Sequence, residues 1–156
     1  MKRMLLGLGM CVAAAVAVAA KPPDFSGTWE FNPKKGENVG MMAGMKMTAT
    51  VQQTKSSLDI SFHTTFQGQD SDSKTHYDLT GKPVTNDSPM AGPSETVCHW
   101  DGSKLVTTWT SQGAVAGNKT VRTETRYLSD NGKTMTVESA RSGRPPVVMV
   151  FDKKQG

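Results

Sequence analysis

Asp24-Phe25-Ser26-Gly27-Thr28-Trp29 opens a run of short alternating stretches and decides how the rest of the chain is read. A Gly-x-Trp this early in an alternating sequence suits the first strand of a small β-barrel. The glycine has no Cβ, so a neighbouring segment can pass close to it, and the indole is large enough to lie across one end of a barrel and shut it. Gly27 and Trp29 are therefore expected to be structural.

Outward from there, residues 25–31, 46–53, 57–66, 73–79, 94–100, 104–111, 119–128, 133–140 and 146–153 alternate apolar with polar side chains. No stretch of helical length carries an apolar stripe at a 3.6-residue period. Short strands with polar, glycine-rich breaks lead to an all-β fold, a closed antiparallel up-and-down barrel of eight to nine strands. One domain is expected over residues 21–156.

Loop length fixes which residues of a hairpin lie opposite one another, and so which face points inward. A loop around Thr54 to Ser57 pairs Val51 with Ile60 and Ala49 with Phe62. A two-residue turn at Asp101-Gly102 pairs Cys98 with Leu105, putting Trp100, Cys98, Leu105 and Trp109 on one face. A three-residue loop at Asp130-Asn131-Gly132 pairs Tyr127 with Met135 and Thr125 with Val137, which turns Arg122, Glu124 and Arg126 to solvent.

An eight-stranded barrel is just wide enough to be filled by its own side chains or to hold one small ligand. The expected lining is Ile60, Phe62, Thr64, Tyr77, Trp100, Thr107, Trp109, Thr125 and Tyr127. Its threonine band favours a cavity, because hydroxyls in a dry core need partners that a ligand or water can supply. With no Lys or Arg facing inward, the expected ligand is neutral and largely apolar. Val39 to Met47 contains Met41, Met42 and Met45 between Gly40 and Gly44, and reads as an adaptable apolar flap over the barrel mouth. Soft thioethers binding Cu(I) are the alternative for that segment.

His63, His76 and His99 fall on outward positions of three different strands, which does not suit a metal or haem site. Cys98 reads as a small inward hydrophobe rather than a nucleophile. No Ser-His-Asp set, carboxylate pair or phosphate loop stands out, so no catalytic residue, metal or cofactor is assigned.

Met1 to Ala20 begins with Lys2 and Arg3, runs apolar from Met4 to Val18 and ends in small residues. It reads as a secretory signal peptide, too short in its apolar part for the roughly 20 residues of a membrane span. Cys11 does not suit a lipidation site, since bulky Met10 precedes it. Cleavage leaves no membrane span, lowers the formal charge of +4 by removing Lys2 and Arg3, and leaves Cys98 as the one cysteine. The remaining basic residues are scattered, which argues against nucleic acid as a partner. The expected product is a monomer in the periplasm or outside the cell.

Phe25-Ser26-Gly27-Thr28-Trp29, His99-Trp100-Asp101-Gly102 before Leu105-Val106, and Val148 to Lys153 together resemble the calycin superfamily, the lipocalins and fatty-acid-binding proteins. The chain looks most like lipocalin-like secreted bacterial proteins that begin Asp-Phe-Ser-Gly-Thr-Trp. The resemblance implies an antiparallel barrel that binds a small apolar molecule. It departs from the fatty-acid-binding proteins in two places. Residues 32–45 leave no room for a helix pair, and the Arg-x-Tyr those proteins use for a carboxylate falls on Met149 and Phe151. The lipocalin arginine that packs on the indole has Lys153 or Arg126 as possible substitutes. A filled barrel acting through loops and strand edges, as an envelope interaction protein or inhibitor, is the competing expectation.

Overall fold

The computed structural model describes residues 21–88, 92–113 and 117–155; the expected signal peptide, residues 1–20, lies outside them. Ten antiparallel strands form one sheet: β1 (Gly27–Phe31), β2 (Lys46–Gln53), β3 (Ser57–Phe66), β4 (Gln69–Asp78), β5 (Val84–Ser88), β6 (Gly92–Asp101), β7 (Lys104–Gln112), β8 (Lys119–Ser129), β9 (Thr134–Arg141) and β10 (Arg144–Lys153). Their order, β4-β3-β2-β1-β10-β9-β8-β7-β6-β5, is an up-and-down meander that the first and last strands zip together. The extra strand relative to the expected eight to nine is β5, whose short polar sequence follows Pro83 and carries little alternation. Among the described residues, no helix is long and apolar enough to cross a membrane.

β4 and β5 are the ends of the sheet and share no ladder. Asn86 joins them instead. Its Oδ1 accepts from the His76 N–H at 2.9 Å, and its Nδ2 donates to the His76 carbonyl at 2.7 Å and to Thr96 Oγ1 at 2.8 Å. One buried side-chain amide thus substitutes for a ladder rung and satisfies both backbone groups of His76.

Gly27 and Trp29 sit in close contact with the segments around β1. Trp29 is fully buried and its indole N–H donates to the Phe25 carbonyl at 2.9 Å. Phe25 stacks on Trp100 with ring centroids 6.1 Å apart and planes 2° from parallel. Gly27 has φ +130°, and a Cβ there would stand 3.0 Å from Lys153 Cε. Lys153, one of the two cations expected to pack on the indole, holds its ammonium 5.1 Å from the centre of the Trp29 ring.

The β2–β3 hairpin has the expected register, Val51 opposite Ile60 and Ala49 opposite Phe62. The β6–β7 hairpin turns at Gly102-Ser103, so Trp100 faces Leu105 and Cys98 faces Thr107. That is a slip of two, which leaves Cys98, Trp100, Leu105 and Trp109 on the inner face.

The β8–β9 hairpin slips by one, and its consequence is large. Asp130, Asn131 and Gly132 all take positive φ, and Ser129 pairs with Thr134 across a four-residue loop. Thr134 Oγ1 donates to the Asp130 carboxylate at 2.8 Å, and the Lys133 N–H donates to the Asp130 carbonyl at 3.2 Å, locking the longer turn. Arg126 therefore faces Val137, and Tyr127 faces Thr136. Every side chain of β8 is on the opposite face from the expected one.

Candidate functional site

The buried side chains include a polar and charged set concentrated on β5 to β8. Strands β1, β2, β3, β9 and β10 contribute Trp29, Phe31, Ala49, Val51, Leu58, Ile60, Met135, Val137 and Phe151, all buried. Strands β5 to β8 contribute buried Asn86, Ser94, Thr96, Thr107, Ser111, Glu124 and Arg126 beside the buried apolar Cys98, Leu105 and Trp109. Tyr77, on β4, and Trp109, on β7, meet edge to face with centroids 6.0 Å apart.

Of the expected lining, Ile60, Tyr77, Thr107 and Trp109 are buried, while Phe62, Thr64 and Trp100 are half-buried. Thr125 and Tyr127 are corrected: the β8–β9 slip puts both on the outer face, where Tyr127 donates its hydroxyl to Glu138 Oε1 at 2.7 Å beneath the Lys104 ammonium. The Glu138 carboxylate and burial raise the Tyr127 phenol above its ordinary pKa.

Arg122, Glu124 and Arg126 occupy the inner face that those two residues were expected to fill. Arg122 Nη2 lies 3.1 Å from Glu124 Oε1, and the Arg122 guanidinium carbon is 4.5 Å from the centre of the Trp109 ring. Arg126 is 5% exposed. Its Nη1 lies 3.7 Å from Met135 Sδ and its guanidinium carbon 5.8 Å from the centre of the Tyr77 ring. Among the described residues, no carboxylate oxygen comes within 4.0 Å of Arg126. The premise for a neutral ligand, an interior without cations, is thus overturned. Arg122 and Glu124 offset each other, and Arg126 is left over.

Burial raises the Tyr77 phenol far above its ordinary pKa, and the Glu124 charge pushes it the same way. It stays protonated beside Arg126. Cys98 is 2% exposed, with its sulfur 3.2 Å from Thr107 Oγ1. Burial pushes this thiol up as well, against a smaller downward pull from the Thr107 hydrogen bond and Arg126. Among the described residues, nothing accepts from the buried Trp109 Nε1 donor.

Gly40–Gly44 forms a 3₁₀ turn in which Met41 is 77% exposed. Val39 and Met42 pack against the core, and a Cβ on Gly44 would touch the Phe66 ring at 3.6 Å. Met45, between this turn and β2, is half-buried.

His63, His76 and His99 are exposed on β3, β4 and β6. His63 pairs with Asp72 at 2.8 Å and His76 with Asp59 at 2.6 Å. Among the described residues, no three His, Cys, Asp or Glu side chains are grouped to hold a metal ion.

The inward β8 row had a signal in the sequence: Arg-x-Glu-x-Arg and Thr-x-Thr-x-Tyr interleave over residues 122–127, so the loop alone chooses between them. The orphaned indole and the Asn86 bridge had none, because both arise from tertiary packing.

The chain matches no protein-family model and no curated protein sequence. Solved structures do match. The REP1-NXSQ fatty acid transporter aligns with TM-score 0.65 and 15% identity, covering 84% of this chain and 96% of its own. The fluorescent protein UnaG aligns with TM-score 0.67 and 16% identity, over 83% and 97%. Human cRBP IV aligns with TM-score 0.64 and 16% identity, over 85% and 100%. At such identities the likeness carries the fold alone, an antiparallel up-and-down barrel.

Proposed function

We propose that the barrel binds one small, largely apolar molecule carrying a single acidic group, and that it does so as a secreted, monomeric carrier after loss of residues 1–20. The observation that carries this reading is Arg126, 5% exposed with a thioether and an aromatic ring as its neighbours. Buried charges are ordinarily paired, and a guanidinium is shaped to take a carboxylate through two parallel hydrogen bonds. The apolar side of the interior, Ile60 and Val137 among it, is placed to take the hydrocarbon part. The similarity to structures described as a fatty acid transporter and a cRBP fits a carrier.

The test is native mass spectrometry on protein from its own host, beside Arg126→Met. The expected result is a co-purified organic acid with the native protein and none with the variant. The ligand-free variant should also melt higher, since replacing an uncompensated buried ion by an apolar side chain removes a desolvation penalty. A native protein that carries no acid and competes for none would return the barrel to a filled interaction protein.

A further inference from the structure

The acid is one polar feature of the ligand, and the geometry points to a second. We infer that the bound molecule also carries an oxygen acceptor along its chain, a hydroxyl or keto group, taken by the indole N–H of Trp109. This rests on the reading of the interior as an acid-binding site and narrows it from plain to oxygenated acids.

Trp109 is 6% exposed, and its Nε1 is buried with no hydrogen-bond partner among the described residues. By contrast Trp29, equally internal, donates to the Phe25 carbonyl. A buried donor left unmet costs free energy, so such groups are rare unless a ligand or water completes them. The indole is held in place. The Arg122 guanidinium covers it at 4.5 Å, itself fixed by Glu124 at 3.1 Å, and Tyr77 meets it edge to face at 6.0 Å. Tyr77 also carries Arg126, at 5.8 Å from its ring centre. The cation and the orphaned donor therefore stand on one tyrosine, within the length of a single short ligand. Trp109 acts here as a specificity residue: Arg126 holds the acid, and the indole separates oxygenated chains from plain ones.

The experiment compares dodecanoate with a series of hydroxy- and oxododecanoates in which the oxygen moves along the chain, by displacement of an apolar fluorescent probe. At least one oxygenated acid should bind about two- to tenfold more tightly than dodecanoate, the worth of one hydrogen bond. Trp109→Phe should erase that preference, so that the oxygenated acids and dodecanoate bind the variant alike. In the unsubstituted protein labelled with ¹⁵N, the same acid should move the Trp109 Nε1–H resonance downfield, which decides the matter if the variant does not fold. Binding of dodecanoate with no preference for any oxygenated acid, a preference that survives Trp109→Phe, or an unmoved indole resonance overturns the inference alone. If no acid binds at all, the acid-binding reading falls, and this one with it.

Discussion

The side-chain amide of Asn86 makes both backbone hydrogen bonds of His76, at 2.9 and 2.7 Å, and so bridges the two edges of the sheet that the ladder leaves apart. Asn86→Ala removes these and the bond to Thr96, so a loss of roughly 2–4 kcal/mol is expected. Thermal melting measures the loss, and hydrogen exchange at the His76 amide should quicken beyond it. Unchanged protection at His76 would show that the edges hold without the bridge.

Trp29 is fully buried. Trp29→Ala is expected to cost about 3–5 kcal/mol, a large share of a domain's margin. The measurement is a denaturant melt, and wild-type stability in the variant would sink the structural role given to Gly27 and Trp29.

Cys98 should be inert in the native protein. Its burial disfavours the thiolate, so a water-soluble thiol reagent should label it slowly, at a rate that rises on unfolding. Rapid native labelling would reverse the face assigned to β6.

His63 should titrate above 6.5, because its hydrogen bond to Asp72 favours the charged ring. A raised folded value means the pair's contribution is present in full below 6.5 and is lost as pH rises through the folded pKa. NMR titration of the imidazole measures it, and Asp72→Asn should bring the midpoint down. A midpoint that ignores Asp72 would count against the pair in solution.

The Met41 turn should govern exchange more than stability. Met41→Ser, at a side chain 77% exposed, should leave the melt unchanged, whereas adding Met42→Ser, which packs on the core, should lower it modestly and speed release of an apolar probe. Stopped-flow fluorescence checks the rates. Identical release from both proteins would remove the flap role.

The barrel was readable from alternation and from turns whose residues permit few loop lengths. The β2–β3 register followed from the short break at Thr54 to Ser57. β5 was not readable, because Val84–Ser88 pairs with β6 through its backbone and, among its described side chains, buries Asn86 alone. The inward row of β8 was hidden for another reason. Asp130 and Asn131 both adopt left-handed φ, which non-glycine residues seldom do, and this lengthened the loop by one. Two arginines and a glutamate on an inner face also run against hydrophobic patterning, and such breaks of pattern tend to mark sites rather than scaffolding.

The loop at residues 130–133 is consequently a selector of pocket chemistry. Residues 122–127 encode two complete linings, one cationic and one made of threonines and a tyrosine, interleaved at a period of two. A single-residue insertion or deletion at this turn would exchange them without altering a residue of the strand. Among relatives of this barrel, a change of turn length could therefore redirect ligand preference more sharply than many point substitutions inside it.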